Sequence, residues 1–127
     1  MNTPANLKYT KSDEWFDPAS GKIGLTDFAQ GQLSDIVFLE VLVSVGDTIQ
    51  AGTQIASVES VKAVSEIFMP VAGEIVEVNN GLNDAPENVN NEPYTSGWMV
   101  KVKMDNPLEA DAMLSSIEYE EYLAASA

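Results

Sequence analysis

Residues 54–60 and 65–71 are both rich in β-branched and apolar side chains, and each reads as a β-strand. The few positions between them leave room only for a tight reversal, so the two runs predict a hairpin. Lys62 stands at its tip between Val61 and Val64, in a chain with six lysines and no arginine. A tip this short holds the lysine rigid and exposed, and its small or apolar neighbours leave the amine unpaired. Glu59 and Glu66 lie three before and four after it, on strand positions. An exposed lysine is ordinarily a solvated charge. The arrangement raises the alternative that Lys62 is a point of covalent attachment.

The rest of the chain is punctuated in the same way. Residues 22–25 follow a turn-rich 17–21 and predict an early hairpin. Thr26 caps a short helix over 26–30, with Asp27 at its positive end. Residues 35–43 carry apolar side chains on both faces and predict a central strand. Gly46-Asp47 and 50–53 are turns. Gly73, read as a turn glycine able to take positive φ, precedes a strand over 74–78. Residues 79–93 are rich in Asn, Pro, Gly and acids and read as loop. Residues 98–104 alternate, with Lys101 and Lys103 on one face and Val100 and Val102 on the other.

Asn106-Pro107-Leu108-Glu109 is a helix start. Ser115 or Ser116 caps a second helix whose Ile117, Tyr119, Tyr122 and Leu123 pack on the sheet. A weak repeat of 41–47 in 76–82 puts Lys62 about midway between Gly46 and Gly81, on a pseudo-twofold axis. The reading is one mainly β domain over 1–127, with a helical segment at about 106–125.

Composition restricts the chemistry. The chain has no Cys and no His as well as no Arg, which excludes a thiol nucleophile, an imidazole base, the commonest zinc ligands and a bidentate phosphate clamp. Any redox or group-transfer role then needs a cofactor to bring the reactive atoms. The formal charge of −14 repels nucleic acid and anionic membranes. It predicts a monomer whose partners meet it through basic patches of their own. No apolar run approaches the roughly 18 residues of a membrane span. Residues 1–6 lack a basic start before an apolar block, so a cytoplasmic chain without a secretory signal is expected.

Val58-Glu59-Ser60-Val61-Lys62-Ala63, followed by 65–79 with Ser65-Glu66 and Pro70-Val71-Ala72-Gly73, resembles the glycine cleavage system H protein. Tyr9-Thr10-Lys11-Ser12-Asp13-Glu14-Trp15 resembles that family's opening strand, and 24–30 its short helix. Residues 35–40 resemble its long strand, and Gly97-Trp98-Met99-Val100-Lys101-Val102 its last. The likeness runs over about 7–123. It departs where the family usually has His (Asp13 here), Gly (Ser34) and Leu-Pro (Val41-Leu42).

The resemblance implies an all-β lipoyl/biotinyl-type fold, a flattened β-barrel sandwich with a short helix in its first half and helices at the C-terminus. It implies a carrier and not an enzyme, with lipoic acid in amide linkage to Lys62. The partners implied are glycine decarboxylase, aminomethyltransferase, dihydrolipoamide dehydrogenase and a lipoate-attaching enzyme. Glu59 and Gly73 match the family's recognition positions for lipoylation. Ser12, Glu14 and Glu66 match its cleft for the methylamine-loaded arm.

Four other readings are open. A biotin carrier usually shows Met-Lys-Met, against Val61 and Ala63 here. A lipoyl domain of a 2-oxoacid dehydrogenase usually shows Asp-Lys-Ala and an Ala/Pro-rich linker. An H-like lipoyl donor to other carriers and an unmodified binding module complete the set.

Overall fold

Where the turns fall decides how the strands pair. The computed structural model describes residues 2–126. Its strands are β1 (Lys8–Tyr9), β2 (Glu14–Phe16), β3 (Lys22–Leu25), β4 (Ile36–Val41), β5 (Thr48–Ile49), β6 (Gln54–Ser60), β7 (Val64–Phe68), β8 (Gly73–Val78) and β9 (Val100–Met104). Six of them form an antiparallel sheet in the order β1-β2-β3-β9-β8-β5, and the other three form a sheet in the order β4-β6-β7. Phe16, Ile23, Ile75 and Val102 of the larger sheet share a core with Leu39, Ile55, Val58 and Ile67 of the smaller. The result is a flattened, mainly β sandwich with a few short helices, as expected. Each fully buried aliphatic or aromatic side chain there contributes about 1.5–3 kcal/mol.

Several elements form where the sequence places them. β2 and β3 pair as the early hairpin, with Trp15 opposite Gly24. Thr26 caps α1 (Asp27–Leu33), its hydroxyl oxygen accepting from the Ala29 N–H at 3.2 Å. Gly46 and Gly52 take positive φ in their turns. In β9, Val100 and Val102 are buried while Lys103 is exposed and Lys101 partly so. The C-terminal helix α3 (Ser116–Ser126) opens with a reciprocal cap. The Ser115 hydroxyl accepts from the Glu118 N–H at 3.2 Å, and the Glu118 carboxylate accepts from the Ser115 N–H at 2.9 Å. Tyr119 of α3 stacks on Tyr9 with ring centroids 4.8 Å apart.

Several expectations are corrected or refined. The 35–43 strand is not central: β4 lies at the edge of its sheet. A register shift between Ile36 and Phe38 interrupts its alternation and leaves both Val37 and Phe38 more than half exposed. The expected loop 79–93 contains a 3₁₀ helix, Asn80–Asp84, and a short helix α2 (Asn88–Asn91), anchored by buried Leu82 and Val89. The start at Asn106 is capped as read, but it opens a 3₁₀ helix, Pro107–Ala112. Ile117 is exposed, so the packed face of α3 is Tyr119, Tyr122 and Leu123. The two repeat glycines are not equivalent, because Gly46 has φ +96° whereas Gly81 sits in a 3₁₀ helix without positive φ.

Candidate functional site

The β6–β7 hairpin reverses through residues 61–63, and Lys62 is exposed at its centre. All three backbone N–H groups of this tip have acceptors. The Val61 N–H donates to the Asp35 carbonyl at 3.0 Å. The N–H groups of Lys62 and Ala63 both donate to the Ser60 hydroxyl oxygen, at 3.1 and 2.9 Å. That hydroxyl in turn donates to the Ala63 carbonyl at 3.1 Å, and the Ser60 N–H donates to the same oxygen at 2.8 Å.

The lysine amine is not left unpaired, contrary to expectation. Its Nζ donates to the Gln32 carbonyl oxygen at 3.2 Å, near the end of α1. The segment supplying this carbonyl and that of Asp35 is pinned from α2. Asn90 Nδ2 donates to Gln30 Oε1 at 3.0 Å and to the Ser34 carbonyl at 2.8 Å, and its Oδ1 accepts from the Ile36 N–H at 2.8 Å. Sequence reasoning missed Ser60, Gln32 and Asn90. Only Ser60 carried a local signal, as a hydroxyl placed to receive N–H groups two and three residues on.

A cleft of about 370 Å³ opens beside Gln32, between α1 and α3. Phe28 and Leu123 give it apolar walls, while Lys11, Asp13, Gln32 and Tyr122 give it polar ones. The Lys11 ammonium lies 5.6 Å from the centre of the Tyr122 ring. Asp13 takes the left-handed φ of +72°, and its Oδ1 accepts from the Tyr119 hydroxyl at 2.8 Å. Burial pushes the Tyr119 phenol up, so it keeps its proton for this bond. Thr26, 2.8 Å from the same hydroxyl, then serves as donor to it. Burial also raises the Asp13 carboxyl, and the bond from Tyr119 offsets part of that rise.

Of the predicted cleft residues, Ser12 and Glu14 meet. Glu14 is only 1% exposed. Its Oε1 accepts from the hydroxyls of Thr10 and Ser12, each at 2.7 Å, and its Oε2 accepts from the Phe68 N–H at 3.3 Å. Burial raises its carboxyl, and those three donors work against the rise. Glu66 is exposed on β7, two residues nearer the tip than Phe68. None of these three is among the residues lining the α1–α3 cleft.

Glu59 is exposed on β6 beside the tip and lies opposite Val64. Gly73 is not a turn residue with positive φ. It is buried in β8 opposite Met104, where a Cβ would meet the Lys103 carbonyl oxygen at 2.3 Å and Val102 Cγ2 at 2.7 Å. No group of three or more metal-ligating side chains converges among the described residues.

The family profile described as Glycine cleavage H-protein matches residues 7–126. The chain belongs to the glycine cleavage H-protein family. That family carries lipoate in the glycine cleavage system. The glycine cleavage system H protein of Chlorobaculum tepidum is 50% identical over 123 residues, covering 94% of this chain and 95% of the relative. That of Koribacter versatilis is 50% identical over 127 residues, covering 100% and 98%. A crystal structure of a glycine cleavage system H protein from Mycobacterium marinum superposes with a TM-score of 0.82 at 33% identity, covering 97% of this chain and 98% of that one.

Proposed function

We propose that Lys62 is acylated by lipoic acid and that the chain, itself non-catalytic, carries the methylamine group of glycine from glycine decarboxylase to aminomethyltransferase. Dihydrolipoamide dehydrogenase returns the carrier to its oxidised state by thiol–disulfide exchange. The observation that carries this reading is the tip itself. Lys62 projects from a three-residue reversal whose backbone donors are all engaged, and its amine rests on a neutral carbonyl.

The residues present fit the group. Lipoic acid, when bound, supplies a cyclic disulfide, the redox function that a chain without cysteine lacks. Lys62 supplies the tether, which keeps the intermediate at high effective concentration for each partner. The α1–α3 cleft begins at Gln32, the residue that holds the Lys62 amine, so its apolar walls offer a resting place for the tethered group. Asp13 places a carboxylate in that cleft, suited to a methylammonium. Ser12 and Glu66 offer further polar contacts at the surface, while buried Glu14 orients the Ser12 hydroxyl from behind.

Glu59 and Gly73 serve recognition by the lipoate-attaching enzyme. Glu59 acts directly beside the tip, and Gly73 acts by letting β8 lie close on β9. The acidic surface favours partners with basic patches and disfavours nucleic acid. The reading includes a monomeric chain in the cytoplasm. Among the described residues, no helix is long and apolar enough to cross a membrane.

Glycine-dependent exchange of carbon dioxide, measured with glycine decarboxylase and the lipoylated chain, tests the shuttle. Exchange that needs both lipoylation and Lys62 supports it. A lipoylated chain that supports no exchange, yet passes its lipoyl group to other carriers, would assign a relay role instead.

A further inference from the structure

We propose that Ser60 is the positioning residue for acylation of Lys62, presetting the tip in the form the attaching enzyme takes up. This rests on the reading of Lys62 as the lipoylation site. Ser60 is 6% exposed, although Glu59 and Val61 on either side of it are exposed. Its side chain therefore points into the hairpin. A serine hydroxyl has one proton and two lone pairs. Here all three are used within the tip: the lone pairs take the N–H groups of Lys62 and Ala63, and the proton goes to the Ala63 carbonyl. Val61 and Val64 are 69% and 65% exposed and do not pack the tip from inside. The Ser60 hydroxyl alone supplies acceptors for the Lys62 and Ala63 N–H groups, while the Ser60 N–H on the Ala63 carbonyl and the Val61 N–H on the Asp35 carbonyl close the reversal around them.

Acylation needs the amine presented in one orientation. The lysine ammonium gives up two protons to solvent, the Nζ–C amide bond forms, and the bond from the lipoyl carbonyl carbon to its activating phosphate oxygen breaks, AMP leaving with the bonding pair. ATP-activated lipoate is the co-reactant. Without the Ser60 hydroxyl the Lys62 and Ala63 N–H groups lose their acceptor, so the tip populates more conformations and the enzyme must select or impose the reactive one. The apparent affinity then falls in proportion to the competent fraction, with little change in the step that follows binding.

The test is steady-state lipoylation of the full chain by a lipoate ligase with lipoate and ATP, followed by intact mass, with melting temperatures recorded on the same samples. Ser60→Ala should raise the KM for the carrier by about tenfold at similar kcat, because the three hydrogen bonds of its hydroxyl no longer hold the tip. Ser60→Thr, which keeps the hydroxyl, should restore the wild-type KM. If Ser60→Ala melts below the assay temperature, Ser60→Cys, similar in shape with a weak acceptor, should show the same rise in KM. A wild-type KM in the variants without the hydroxyl, with the wild type itself acylated, would overturn the role of Ser60 and leave Lys62 as the site. Failure of the wild type to become acylated would overturn both.

Discussion

Glu14 of the larger sheet accepts a hydrogen bond at 3.3 Å from the backbone N–H of Phe68, in β7 of the smaller one. One buried carboxylate thus ties the two layers and gives an acceptor to a strand at the edge of its sheet. Glu14→Ala should cost about 1–3 kcal/mol at neutral pH, because three donors lose their acceptor. Burial raises the Glu14 carboxyl above its ordinary value, so the folded chain holds a proton there at pH values where the unfolded chain has lost it. The contribution of Glu14 to stability is therefore full below the ordinary carboxylate range and declines as pH rises through the raised value. Urea melts of both proteins across acid and neutral pH should show the cost of the substitution shrinking as pH rises. A cost that grows with pH would contradict this.

Ser34 ends α1 with φ +65° and ψ −154°, a region that glycine alone occupies without strain. Ser34→Gly should stabilise the fold by about 1 kcal/mol, the relieved strain exceeding the extra entropy of the unfolded glycine. Thermal melts read this directly, and a lower melting temperature would contradict it.

A side chain at Gly73 has no space between β8 and β9. Gly73→Ala should destabilise by about 1–3 kcal/mol through overpacking against the Lys103 backbone. Its lipoylation should be assayed well below its melting temperature, so that a recognition defect is read on folded protein. A variant as stable as the wild type would show that the strands separate more easily than their packing indicates.

Tyr119 joins α3 to both the Asp13 turn and the cap of α1. Tyr119→Phe keeps the stack on Tyr9 but leaves Asp13 and Thr26 short of a partner, and should cost about 1–2 kcal/mol. Amide exchange should accelerate in α3 more than in β6. Equal acceleration throughout would mean that the hydroxyl acts on the whole fold and not on this contact.

The Lys62 hairpin was legible because its strands are β-branched and its reversal is short, both local properties. The Thr26 cap and the Ser115 start were legible for the same reason. β4 was misplaced because a bulge at Ile36–Phe38 turns two adjacent apolar side chains outward, and no sequence periodicity announces a bulge. Gly73 was misread because a glycine needed for close approach of two strands looks, in sequence, like a glycine needed for a turn. The partner of the Lys62 amine was not legible at all. The Gln32 carbonyl is thirty residues away, and a backbone acceptor leaves no mark on side-chain identity.

Acylation at Lys62, as proposed, would remove one of only six cations, set against twenty carboxylates. Intact mass with peptide mapping, after expression with a lipoate-attaching enzyme and lipoate, tests the account most directly. The account predicts one lipoyl amide on Lys62 and none in Lys62→Ala, whose stability should stay within about 0.5 kcal/mol of the wild type. An unmodified wild type, or a lipoyl group that persists in Lys62→Ala, would contradict it.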